Sequence, residues 1–224
     1  MIPLAIDAED IRVSLQVAGL ATLICIVVGL PMAWLLARHR FRGRMLVEVV
    51  VTLPLLLPPT VVGYYLLRAL GRGSTVGRFL EDELGISIVF TWYGAALAAA
   101  VVSIPFLIRT SQAAFEAVDP ELEGVAQTLG RSKFGTFWAI TFPLAARGIA
   151  AGIALAFARA IGEFGATVVV AGNIPGKTRT LPISVYDAVQ AGDIDRANLT
   201  ALLLVGISVA SLLVFSWSLL LVRR

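Results

Sequence analysis

Asp119-Pro-Glu-Leu-Glu-Gly-Val-Ala-Gln-Thr-Leu-Gly130 carries both the start and the stop of a short helix. Asp119 is placed to accept from the free N–H groups of the first turn, and Pro120 suits the first helical position, where a missing N–H costs nothing. Glu121 complements the helix dipole, and Gly130 suits the left-handed residue that ends a helix. Between these signals Leu122, Val125, Ala126 and Leu129 recur at i, i+3, i+4 and i+7 and make one apolar face. A second short amphipathic piece follows, with Ser132 as its cap and Phe134, Phe137 and Trp138 as bulky anchors, before Pro143 opens the next apolar run. On the residues alone, this region suits a helix lying on a lipid surface as well as one docking another protein.

On either side of it the chain is apolar. Hydrophobic residues make up 58% of the 224 and charged residues 15%, and the mean hydropathy is +0.88, which places most of the protein in lipid. A hydrocarbon core needs about 20 apolar residues per helix. Five segments meet that need: Ile11 to Ala37, Met45 to Leu70, Ile88 to Ile108, Leu144 to Ala171 and Leu199 to Val222. The expected fold is all-α, a polytopic helical bundle in which residues 1–224 form one transmembrane domain and about 111–143 project as a polar segment. Arg38, Arg40, Arg42 and Arg44 after the first span, and Arg223 with Arg224 at the end, read as cytoplasmic by the positive-inside rule. The N-terminus is then external, the C-terminus cytoplasmic, and the 119–130 helix cytoplasmic.

Several function classes fall away. The sequence pI is about 9.4, but the basic residues sit in short loops beside apolar runs, so they set topology and nucleic acid is not an expected partner. Cys25 is the single cysteine and lies within the first span, which leaves no intrachain disulfide, zinc cluster or iron–sulfur site. The acidic start MIPLAIDAED lacks the basic region of a signal peptide, so the first span is expected to be retained. His39, the one histidine, lies among arginines at a span edge, and one deep carboxylate supplies neither a nucleophile–base pair nor a metal pair for an intramembrane enzyme. No metal or cofactor site is expected. Gly172 to Thr178 lacks the second glycine of a phosphate loop, so any nucleotide must bind a partner.

The spans carry breaks that a plain anchor would not need: Pro54, Pro58 and Pro59 in the second, Pro105 in the third, Gly162 and Gly165 in the fourth. Two adjacent missing N–H donors at Pro58 and Pro59 should kink or break that helix. Arg159 and Glu163 are the ionisable residues deep in a span, at i and i+4. A charge at a helix centre facing lipid costs about 2.5–3.5 kcal/mol, so both should face the protein interior.

The segment before Pro143 resembles the cytoplasmic loop of ABC importer permeases, a pattern of Glu-Ala-Ala, three residues, Gly, nine residues, Ile, one residue, Leu-Pro. Ala126, Gly130, Ile140 and Pro143 stand at that spacing, while Gly124, Val125 and Phe142 replace the usual Glu, Ala and Leu, and Glu123 is one position early. Leu53 to Gly63, Leu155 to Ala166 and Gly172 to Pro182 are similar to the permeases of molybdate importers within that family. The resemblance implies the type I ABC importer permease fold, with five transmembrane helices and a cytoplasmic coupling helix. It implies a multi-pass protein of the bacterial inner membrane, without ATPase activity of its own. Its partners would be a second permease in a homodimer, two cytoplasmic ATP-binding subunits and an extracytoplasmic molybdate-binding protein. Molybdate would be the substrate, with sulfate, thiosulfate or tungstate as the alternative, crossing by alternating access.

On that resemblance Leu122, Glu123, Val125, Ala126, Leu129 and Gly130 would couple to the ATPase. Arg159 would line the anion route with Glu163 holding it, or the two would be a buried structural pair. Phe164, Thr167, Thr60 and Val62 would form a constriction or pack ordinarily. The loop with Asn173, Lys177, Thr178 and Arg179 would meet an anion or the binding protein, or be a solvated loop. A passive channel would need no coupling helix.

Overall fold

The computed structural model describes residues 7–221, with side chains through 214. The expectations for Met1 to Ile6, for Val222 and for the closing Arg223–Arg224 pair lie outside the described residues.

The first span is one 31-residue helical run from Ala8 to Arg38, made of α1 (Ala8–Ile24), a π-helical turn (Cys25–Gly29) and α2 (Leu30–Arg38). The π turn ends two residues before Pro31, whose ring would otherwise press on the carbonyl one turn back; widening the helix makes the room without breaking it. The same device recurs where α8 (Lys133–Thr136), a second π turn (Phe137–Thr141) and α9 (Phe142–Ile161) run into one 29-residue span past Pro143. The second amphipathic piece is therefore the entry to a span.

Between these runs the chain forms α3 (Arg44–Leu56), α4 (Pro59–Leu70), α5 (Thr75–Asp82), α6 (Trp92–Glu116) and α7 (Pro120–Thr128). After α9 come α10 (Gly165–Ala171), α11 (Leu181–Gln190) and α12 (Ile194–Leu221). α3 and α4 meet at 115° across Leu57–Pro58, as the proline pair requires. With that bent pair counted as one span, the described residues hold five by length and apolarity.

α6 is the axis on which α1, α2, α3, α9 and α10 pack. Its alanines 95, 96, 98, 99 and 100 are buried, and small residues let helix backbones approach closely in a membrane. A Cβ on Gly148 of α9 would lie 2.3 Å from the Ala114 Cβ. α6 runs two turns beyond the expected end at Ile108 because its polar residues find partners there. Arg109 donates to Thr52 Oγ1 at 2.6 Å and to the Glu48 carbonyl at 3.3 Å, and Gln112 donates to Glu116 at 3.0 Å.

The two ends of the bundle differ in their charge pairing. At one end Arg38 meets Glu123 at 2.8 Å and Arg44 meets Glu48 at 2.9 Å. At the other, buried Arg179 reaches Asp10 at 2.9 Å, joins Asp7, and thereby ties the start of α1 to the approach to α11.

Candidate functional site

The fourth span breaks at Gly162-Glu163-Phe164, between α9 and α10. A buried break leaves N–H groups without helical partners, and Glu163 supplies one: its Oε1 accepts from the Ala166 N–H at 2.7 Å. The other carboxylate oxygen meets Arg159 at 2.6 Å, with the Glu163 side chain 1% exposed and that of Arg159 28%. The Glu163 carboxylate is thus buried with its charge paired, which offsets the cost of a charge in a span. The Thr167 hydroxyl donates to the carbonyls of Phe164 at 2.8 Å and Glu163 at 3.1 Å, which engages two carbonyls of the break.

The α3–α4 break lies against this one. A Cβ on Gly165 would stand 3.2 Å from Thr60 Cγ2, and one on Gly63 would stand 2.9 Å from the Ala166 Cα. Residues a hundred positions apart are therefore brought to one place, two interrupted spans side by side, with Gly63 and Gly165 packed at the contact and Pro58, Thr60 and Gly162 exposed. Gly63→Ala is expected to force α4 and α10 apart at a cost of about 1–3 kcal/mol, read as a lower midpoint of thermal unfolding; an unchanged midpoint would contradict this packing.

Within the site the six residues separate by environment. Val62 is buried with Ala98, Val102, Ala166 and Val170, a packing position. Thr60 is exposed, Thr167 is buried, and Phe164 is half-buried against Tyr186 of α11 with ring centroids 5.0 Å apart. Tyr186 carries no motif or periodicity that marks it, and only the fold shows it beside the break. Arg159 is the cation of the group, and its guanidinium is partly open to the surface.

In the loop from Asn173 the residues divide likewise. Arg179 is 6% exposed and committed to acidic partners, Asn173 donates to Asp187 at 3.0 Å, and the Thr178 hydroxyl accepts from the Ile174 N–H at 3.1 Å. Lys177 remains exposed. The sequence signal for the Arg179 tether was the acidic N-terminus itself.

At the other end, α7 forms as its caps predict: Asp119 accepts from the Glu121 N–H at 2.9 Å, and Gly130 takes φ 89°. Its apolar face divides. Ala126 is buried against the bundle, while Leu122, Val125 and Leu129 are 48%, 57% and 81% exposed. Glu123 turns inward, accepting from Arg38 at 2.8 Å and from the Thr141 hydroxyl at 2.6 Å. It fastens α7 to the ends of two spans, and the residues offered outward are Leu122, Val125, Leu129 and the exposed Gly130.

A bundle of apolar spans, two of them broken beside each other, with a capped extramembranous helix presenting bare leucines, is the architecture of an integral-membrane transport component. Residues 14–224 match the family described as binding-protein-dependent transport system inner membrane component, and the chain belongs to that family. It is a multi-pass inner-membrane protein.

Over 211 residues, 93% of this chain and 92% of the relative, it is 44% identical to the molybdenum transport system permease protein ModB of Escherichia coli. It is 42% identical to the corresponding protein of Haemophilus influenzae, over 94% of this chain and 93% of that one. Its fold is similar to a chain of a bacterial ABC transporter involved in the import of the acidic polysaccharide alginate, with a TM-score of 0.74 at 16% identity, covering 96% of this chain and 79% of that one. It is also similar to a chain of the inward-facing MetNI methionine ABC transporter, with a TM-score of 0.73 at 17% identity, covering 96% and 95%.

Proposed function

We propose that the protein is the permease subunit of an ATP-driven molybdate importer, acting as a homodimer with two cytoplasmic ATP-binding subunits and receiving molybdate from an extracytoplasmic binding protein. The observation that carries the reading is the 44% and 42% identity, over nearly the whole chain, to two permeases named for molybdenum transport. The N-terminus is external and α7 cytoplasmic, an orientation supported by the arginines from 38 to 44, which lie at the α7 end. ATP hydrolysis belongs to the partner, and the outward Leu122, Val125 and Leu129 are the surface that receives its motion. Substrate passes by alternating access beside the paired breaks, where Arg159 offers N–H donors to a tetrahedral oxyanion and Glu163 holds the guanidinium in place.

The test is uptake of labelled molybdate in cells lacking this permease, restored with the parent chain or with Arg159→Ala. Restored uptake is expected to withstand excess sulfate. Arg159→Ala is expected to lose at least about tenfold, equivalent to about 1.4 kcal/mol on the transport barrier, while the ATPase still co-purifies. Suppression by sulfate would move the assignment to a sulfate importer, and near-normal uptake by Arg159→Ala would remove that residue from the route.

A further inference from the structure

Behind α7, on the side away from its exposed leucines, lies a polar cavity of about 440 Å³ lined in part by Arg38, His39, Glu123, Gln127, Lys133 and Thr136. It adjoins an apolar groove of about 550 Å³ walled by Val27, Leu30, Phe134, Trp138 and Phe142. Trp34, Lys133 and Phe137 line both. The two π turns shape the groove, one presenting Val27 and the other Phe137 and Trp138.

The polar cavity holds two buried atoms without a hydrogen-bond partner among the described residues, Arg38 Nε and Thr136 Oγ1, with Thr136 2% exposed. Both atoms are sealed within the wall, so the polar groups that a ligand in the cavity meets belong to residues such as Lys133, which is exposed. Lys133 makes no ion pair among the described residues. Glu123 and Arg38 offset one another as an ion pair at 2.8 Å, which leaves Lys133 as the uncompensated cation of this wall.

We infer that this double cavity is a binding site for one anionic phospholipid, its phosphate held by Lys133 and an acyl chain lying in the aromatic groove. A free oxyanion would use the polar cavity and leave the groove bare, and a plain hydrocarbon would do the reverse. A surface that passes without a gap from the Lys133 cation to Trp34, Phe137 and Trp138 fits an amphiphile. The exposed Phe134 and Trp138 beside Lys133 also have the composition of a membrane–water interface. The lipid sits against the inner face of α7, formed by Pro120, Glu123 and Gln127, so its occupancy braces that helix from behind while the outer face meets a partner.

The experiment places the full chain, in a variant keeping only Trp34 and Trp138 of the four tryptophans, in phosphatidylcholine nanodiscs with rising fractions of acyl-brominated phosphatidylglycerol or acyl-brominated phosphatidylcholine. Half-maximal quenching by the anionic lipid is expected at about a fivefold lower mole fraction, the effect of one cation near the surface. Lys133→Gln, at an exposed position, should bring the two lipids together. Equal quenching in the parent, or a preference that survives Lys133→Gln, would overturn the site in favour of general attraction to the neighbouring arginines. No quenching by either lipid would mean that protein fills the groove, and loss of the preference on adding inorganic phosphate would mean that a free oxyanion fills the cavity; both overturn the proposal.

Discussion

Glu163→Ala is expected to destabilise the permease by about 3–5 kcal/mol, the range for removing one partner of a buried ion pair. The substitution acts twice. It leaves the Arg159 guanidinium without its carboxylate inside the bundle, and it removes the acceptor of the Ala166 N–H at the start of α10. Glu163→Gln separates the two losses, because the amide oxygen still accepts from Ala166 while the charge is gone, so it should fall between alanine and the parent. The measurement is the thermal unfolding midpoint of the purified protein in nanodiscs. A Glu163→Ala protein as stable as the parent would mean that the break between α9 and α10 does not depend on this carboxylate.

Leu129→Asp should have the opposite profile, with little loss of stability and nearly complete loss of function. Leu129 is 81% exposed, so its replacement removes no packing within the chain, and surface changes of this kind stay within about 0.5 kcal/mol. If α7 seats in an ATPase subunit, a carboxylate there enters an apolar contact. Hot-spot positions cost about 2 kcal/mol or more on truncation alone, a loss of roughly thirtyfold in affinity. Co-purification of the ATPase with the tagged permease should fail and molybdate uptake should cease, while the protein remains in the membrane and folded. Retained co-purification with retained uptake would take the coupling role away from this face.

These two residues differ in how far the chain announced them. The i, i+4 spacing of Arg159 and Glu163 and the cost of charge in lipid led to a paired, inward-facing couple, and the pair is there. That Glu163 also caps α10 was hidden, because the cap exists only once the helix breaks at Gly162. The caps of α7, the leucine spacing and the break at the proline pair are local, set by residues within one or two turns, and they stand where the residues place them. Glu123 is the contrary case. The family resemblance put it with Leu122 and Val125, and its bond to Arg38, 85 positions earlier, had no local signal. Arg179 was read with an outer loop, but it is held by Asp10, 169 positions away. The end of α6 escaped for the same reason, since Arg109 looked like the start of a polar loop until Thr52 came within 2.6 Å.

The sequence by itself determined that the chain is built for a bilayer, how many apolar runs are long enough to cross it, the breaks at Pro58–Pro59 and Gly162, and the capped helix α7, whereas Pro54 and Pro105, also read as breaks, stay inside unbroken α3 and α6. The causes are hydration cost, missing proline donors and end capping, and each acts over a few residues. Only the tertiary structure decided that the two breaks lie side by side, that α7 turns Glu123 inward and Leu129 outward, and that two π turns wall a groove behind it. Those outcomes depend on which helices pack against α6, and a buried charge takes its partner from whatever the packing brings within about 3 Å.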